Sequence, residues 1–307
     1  MTLRSGPVVV GVNGSALDEG ALRAGVAEAH RLGVGITLVH VVPDYVSVSP
    51  LLPITPTDLD GLGSEVVARA AKLLREIDPE IAVNQKLEHG SRTKRLAEAA
   101  AQARALVVGR DDRSLAVRLL RGNAATGVAA VAVCPVLAVP AGWQPVPRRG
   151  QIVVGMKSRA HSPELLEDAF ALASALGDKL VLLHAWRLPT GYDDIIESRV
   201  AVDQWSERIV LAFDALVKDF RTAYPDVDVE IRAVHDRPVS ALVEASRDAD
   251  ALVIVRRSHG VPAAVLLGGT ARAVLRSAYC PVRVVPAALR LDALPGLVLE
   301  EAGALAK

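Results

Sequence analysis

Two short loops carry the residues of this chain whose types could hold an anion. The first follows the apolar run Val8–Val12 and reads Asn13-Gly14-Ser15. The second follows Ala105–Gly109 and reads Gly109-Arg110-Asp111-Asp112, then nine intervening residues, then Gly122-Asn123. Glycine has no Cβ, so backbone N–H groups can approach a phosphate closely, and a helix N-terminus behind such a loop presents further donors. The same glycines also serve as plain turn residues. There is no G-x4-G-K-[S/T] and no G-x-G-x-x-G, which leaves a motor or GTPase mechanism without support. No His, Cys and carboxylate group has zinc or iron spacing, so no metal is expected. Cys134 and Cys280 each precede a proline in apolar surroundings, the setting of inert buried thiols. His40 and His184 close apolar runs and suit packing or hydrogen bonding, while His89 and His235 are expected to open helices. Asp111 and Asp112 read as solvated surface. No catalytic constellation emerges.

The elements that must position these loops are legible in a repeat. PVVVGVNGS (from Pro7) has a partner in QIVVGMKSR (from Gln151), and ITLVHVV (from Ile36) in LVLLHAW (from Leu180). The segments beginning at His89 and His235 match, as do VAVCPVLAVPA and RSAYCPVRVVPA. The offset is 144 at Gly11/Gly155 and 146 at Cys134/Cys280, so a whole domain is duplicated in tandem. The expected division is 1–143, a linker at 144–150 rich in proline and arginine, 151–288, and a tail at 289–307. In the first copy Val8–Val12, Ile36–Val41, Ile81–Leu87, Ala105–Gly109 and Val136–Val139 are Val- and Ile-rich runs. They suit strands buried on both faces of a parallel sheet. Leu17–Leu32, Ser64–Ile77 and Thr93–Ala103 show helical spacing. Right-handed strand–helix–strand connections then predict an α/β fold of two tandem doubly wound domains, each with a five-stranded parallel sheet. Such sheets bind ligands beyond the carboxyl ends of their strands, where strand order switches. That places the loops after the first and fourth strands at the site.

The first strand ending in VVVGVNGS, the VHVV second strand, the Gly-containing loop after the fourth and the closing CPVLAVP resemble the universal stress protein family. The likeness runs over about 285 residues as two copies. It implies the same Rossmann-like doubly wound domain. It also implies ATP as a ligand, held by an Asp at the end of the first strand and a G-x2-G-x9-G-[S/T] loop after the fourth. Mapped by that resemblance, the nucleotide site of the first copy is Val12, Asn13, Gly14, Val41, Gly109, Asp112, Gly122 and Asn123. The backbone of Val41 would face the adenine edge.

Both copies depart from the pattern. In the first, Asn13 replaces the Asp, Asp112 the middle glycine and Asn123 the hydroxyl residue. A carboxylate about 4 Å from a phosphate oxygen is repelled by about 1–4 kcal/mol, which Arg110 and Arg113 would partly offset. In the second, Lys157 stands at the Asp position, and Val255 and Ser258 replace the first two loop glycines. Gly268-Gly269-Thr270 keeps the end of the pattern. Lys157, Arg256 and Arg257 would make this second loop positive and fit for some other anion. ATP is therefore expected in the first domain only, weakly if at all, and none in the second.

Charge is balanced at 35 basic and 35 acidic residues, which argues against a nucleic-acid partner. The composition is 51% hydrophobic but only 3% aromatic, enough apolar surface for buried cores built from Ala, Val and Leu. The first residues show no signal-peptide pattern. The longest apolar run, Val128–Trp143, is cut by Pro135 and Pro140 and is too short for a membrane helix. A cytoplasmic protein without membrane contact is expected. The fifth strands should be sheet edges that invite pairing, so the two domains are expected to pair within one chain, with Arg283 marking the more exposed copy. The tail could cover an edge or mediate homo-oligomer formation. Taken together, the expectation is a non-enzymatic tandem stress protein acting through an unidentified protein partner, with degenerate nucleotide sites. The alternatives are an ATP- or ADP-binding switch using the first domain, and a nucleotide-hydrolysing enzyme.

Overall fold

The computed structural model describes residues 6–44, 55–110, 124–145, 147–157, 162–187, 199–256 and 267–286. In the first half, strands and helices alternate as β1 (Val8–Gly11), α1 (Leu17–Leu32), β2 (Ile36–Val42), α2 (Pro56–Ile77), β3 (Val83–His89), α3 (Arg92–Ala99), β4 (Ala105–Arg110), α4 (Ala124–Val131) and β5 (Val136–Pro140). The second half repeats them as β6 (Gln151–Gly155), α5 (Ser162–Leu176), β7 (Lys179–Trp186), α6 (Arg199–Ala223), β8 (Val229–His235), α7 (Pro238–Ala245), β9 (Ala251–Val255), α8 (Gly269–Ser277) and β10 (Val282–Val285). His89 and His235 thus close strands rather than open helices.

The third strand runs two residues later than its pattern, at Val83–His89, and two helix boundaries differ for local reasons. Helix α2 begins at Pro56, not Ser64, because Thr55 and Asp58 form a capping box. The Thr55 hydroxyl accepts from the Asp58 N–H at 3.2 Å and the Asp58 carboxylate accepts from the Thr55 N–H at 2.9 Å. Helix α3 stops at Ala99 because the next residues tighten into short turns, Ala101 N–H to Glu98 and Ala103 N–H to Ala100, that lead back to β4.

The strands form one ten-stranded sheet in the order β3-β2-β1-β4-β5-β10-β9-β6-β7-β8. Within each half the pairing is parallel, and strand order switches between β1 and β4, and between β6 and β9. The halves join where β5 meets β10 antiparallel, with Val282 opposite Ala138 and Val284 opposite Val136. The strands left at the outer edges are β3 and β8. Both edges carry charged ladders, Lys86–Glu88 at 2.6 Å and Arg232–Glu230 at 2.7 Å, which discourage further pairing.

The two faces of this sheet differ. On one, α3, α4, α7 and α8 cover a single apolar core that runs across both halves, from Leu96 and Val128 to Leu242 and Val274. On the other, α1 with α2 and α5 with α6 cover two separate cores. Between those two cores lies Arg283, which is 2% exposed. Its guanidinium donates to Glu28 of α1 at 2.9 Å and to Asp168 of α5 at 2.8 Å, and Glu28 also accepts from Arg31 at 2.6 Å. Arg283 therefore marks the junction, not an exposed copy. A buried arginine is tolerated there because two carboxylates meet it.

Candidate functional site

In the first half the carboxyl ends of β1 and β4 meet at the switch point, and the loop after β1 is drawn tight over them. The carboxylate of Asp18, on the first turn of α1, accepts from the Asn13 N–H at 3.0 Å and the Gly14 N–H at 2.7 Å. The Asn13 side chain in turn accepts from the Ser15 N–H at 2.9 Å, and the Ser15 hydroxyl from the Leu17 N–H at 3.3 Å. Asp18 is 9% exposed. Burial raises its pKa, and the two backbone donors pull it back only in part. The two N–H groups that a phosphate could have used at this loop thus already hold an internal anion. Sequence reasoning missed Asp18, although a carboxylate in the first turn of a helix is itself a signal for N-terminal donors.

Gly14 sits at φ +77°, and a Cβ there would also lie 2.9 Å from Val66. At Gly109 a Cβ would lie 2.8 Å from the Leu17 Cβ and 3.0 Å from its carbonyl oxygen. This glycine is required because the start of α1 packs directly on the end of β4, whatever the loop binds.

Strand β2 outruns β1. The last β1 residue pairs with Val39, while β2 continues to Val42, so the backbone of Val41 stands past the end of its neighbour. Val12 is buried and its carbonyl accepts from His40 Nδ1 at 2.9 Å. The carbonyl can only accept, so Nδ1 carries the proton. The second half copies this contact: His184 Nδ1 donates to the Met156 carbonyl at 2.9 Å, and burial lowers the His184 pKa. These histidines tie the second strand to the turn after the first.

The structure therefore brings Val12, Asn13, Gly14, Val41 and Gly109 to one end of the sheet. Asp112, Gly122 and Asn123 lie outside the described residues, as do Asp111, Arg113, Ser258 and Arg257. In the second half Lys157 is exposed beyond β6, and Gly268 caps the start of α8.

Two residues expected to serve the loops reach across the junction between the halves. Arg110 and Arg256, the first residues at the loop mouths, are 2% and 3% exposed. Arg110 donates across the junction to the carbonyls of Leu275 at 3.0 Å and Ala278 at 2.5 Å. Arg256 donates to those of Ala130 at 2.9 Å and Ala132 at 2.8 Å. Their charges are spent on the ends of α8 and α4, where carbonyls have no partner within the helix. Among the described residues there is no cluster of His, Cys, Asp and Glu that could hold a metal, and no helix long and apolar enough to cross a membrane.

Comparison with known proteins adds the family. The universal stress protein family model matches twice, over residues 5–140 and 149–286. A universal stress protein of Mycobacterium tuberculosis strain H37Rv is 30% identical over 291 residues, covering 90% of this chain and 96% of its own. One of Mycolicibacterium smegmatis is 28% identical over 285 residues, covering 91% and 96%. Among solved structures, a universal stress protein from Archaeoglobus fulgidus superposes with a TM-score of 0.68 at 15% identity, over 93% of this chain and 97% of that one. A putative universal stress protein from Pseudomonas aeruginosa superposes with a TM-score of 0.53 at 16% identity, over 93% and 94%. At those identities the likeness is one of fold.

Proposed function

The chain belongs to the universal stress protein family through both of its halves, and on that premise we propose that it is a non-enzymatic, cytoplasmic member that acts in stress adaptation through protein contacts, its nucleotide sites degenerate. One observation carries this reading: the donors at the loop mouths are already committed. Asp18 holds the Asn13 and Gly14 N–H groups, and Arg110 and Arg256 are bonded to carbonyls of the opposite half. A phosphate arriving at the first loop must displace a partly buried carboxylate from two hydrogen bonds. In the second half, Lys157 occupies the position where the family's Asp would hold a nucleoside.

The test is native mass spectrometry of gently purified protein followed by ATP titration with thermal unfolding. A ligand that binds only the native state raises stability with concentration. The reading expects no retained nucleotide and no change in melting temperature at millimolar ATP. One nucleotide per chain with a concentration-dependent rise would overturn it, and sustained phosphate release with Mg²⁺ would overturn its non-enzymatic part.

A second reading, ATP or ADP held by the first half as a switch, draws support from the backbone of Val41 standing clear past β1. Asp112→Gly separates the two. A degenerate site gains affinity on losing the carboxylate, whereas a site already built for ATP changes little.

A further inference from the structure

On the side of the sheet covered by α3, α4, α7 and α8, the two halves differ at one pair of matching positions. Val133 and Tyr279 stand 146 places apart, and both are large apolar residues left in solvent, at 48% and 53% exposure. Tyr279 has company just past the ends of α7 and α8. The Arg247 guanidinium lies 3.9 Å from its ring centroid and donates to its hydroxyl at 2.6 Å. Arg247 also donates to Glu244 at 3.0 Å, so ring, guanidinium and carboxylate form one knob. In the first half the residues matching Tyr279, Arg247 and Glu244 are Val133, Ala101 and Glu98. Two large side chains are thus replaced by small ones, and a groove of about 430 Å³ lies there. Ala97, Ala101, Val131 and Val133 make its apolar floor, with the exposed Lys94 and Glu98 beside it.

We infer that this groove takes the Arg247–Tyr279 knob of a second copy of the chain, in a two-fold dimer that makes the contact twice. The symmetry of the sheet selects a second copy over other occupants. Strands β5 and β10 meet antiparallel while α3, α4, α7 and α8 cover the same side. The halves are therefore related by a rotation about an axis through that side, with knob and groove on one face and on opposite sides of the axis. A second copy, turned over about a two-fold axis lying along this face, sets its knob opposite the groove and its groove opposite the knob. Once one contact has formed, the other is intramolecular and costs little more entropy. A partner with a single knob would gain only one. Charge also matches, since Arg247 comes to Glu98 and Glu244 to Lys94. Aromatic and arginine side chains seated in small-residue hollows are the usual anchors of such contacts. The dimer goes beyond the function proposed above and is independent of nucleotide binding.

Sedimentation equilibrium of the full chain, from about 10 μM to about 1 mM, reads the association in the range suited to two small contacts. The wild type should pass from monomer to dimer across it. The repeat supplies the blocking variant. Ala101→Arg with Val133→Tyr gives the first half the side chains that the second half already carries at the matching positions. It should fold normally and dimerise about 100-fold more weakly, roughly a decade for each contact. Arg247→Ala with Tyr279→Ala removes the knob and should weaken the dimer as much. A mixture of the two variants keeps one intact knob and one intact groove, so it should form a heterodimer about tenfold weaker than the wild-type dimer. A wild type that stays monomeric throughout, whether its groove is open or filled by another segment of the chain, would overturn the inference. So would a dimer that survives the groove-filling substitutions, or a mixture of the variants that does not associate.

Discussion

Replacing Arg283 by leucine should cost about 3–5 kcal/mol of folding stability at neutral pH, because it leaves the buried Glu28 and the partly buried Asp168 without their common cation. Glu28 measures part of this. Burial alone would raise its pKa, yet Arg283 and then Arg31 outweigh burial and hold it at about 2. Compared with 4.5 in the unfolded chain, that depression corresponds to about 3 kcal/mol. A depressed carboxylate stabilises the fold above its unfolded pKa, so this contribution is complete above about pH 4.5. It is lost as pH falls toward about 2. The penalty of Arg283→Leu should therefore be largest near pH 7 and shrink through that acid window. The repeat supplies the rescue: the positions matching Arg283, Asp168 and Glu28 in the opposite halves are Leu137, Ala24 and Leu172. The triple variant Arg283→Leu, Asp168→Ala, Glu28→Leu should regain most or all of the loss, since a packed apolar junction replaces a desolvated ion cluster. Urea unfolding of wild type, single and triple variants at pH 7 and pH 3 measures each difference. A single-variant loss below about 1 kcal/mol, or a triple variant no better than the single, would refute this account of the junction.

Other consequences follow from the site. Asp18→Ala should lose about 1–2 kcal/mol in urea unfolding, because two loop N–H groups lose a charged acceptor; a change under about 0.5 kcal/mol would show that Asp18 does not hold the loop. Gly109→Ala should lower the stability of ligand-free protein by about 1–3 kcal/mol through overlap with Leu17; normal stability with altered nucleotide affinity would mean that ligand approach, not packing, requires the glycine. Burial pushes the Cys280 thiol up to about 12, so a disulfide reagent at pH 8 should leave it unlabelled in native protein and label it fully in urea. Rapid native labelling would show that the junction opens.

Much of the fold is legible because its signals are local. Runs such as Val8–Val10 and Leu180–Leu183 are apolar at every position because both faces of a parallel sheet are covered, and that requirement shows in a few consecutive residues. The repeat then doubles each observation. The resemblance likewise leads to Asn13, Gly14, Val41 and Gly109, which the structure does bring to one end of the sheet. The boundary of α2 was legible too, had Thr55 and Asp58 been read as a cap.

The arginines were not. By composition Arg110, Arg256 and Arg283 are surface residues or phosphate ligands, and nothing beside them in sequence says otherwise. Arg283 meets Glu28 across 255 residues, and Arg110 meets Ala278 across 168. Whether a guanidinium is exposed or buried depends on which carboxylates and helix ends the packed chain carries to it. By itself the sequence determined the doubled domain, the alternation of its strands and helices, and the strand ends beyond which a ligand would lie. Only the tertiary structure decided that Arg110 and Arg256 face across the junction, because the antiparallel meeting of β5 and β10 brings the helix ends of one half within reach of the strand ends of the other.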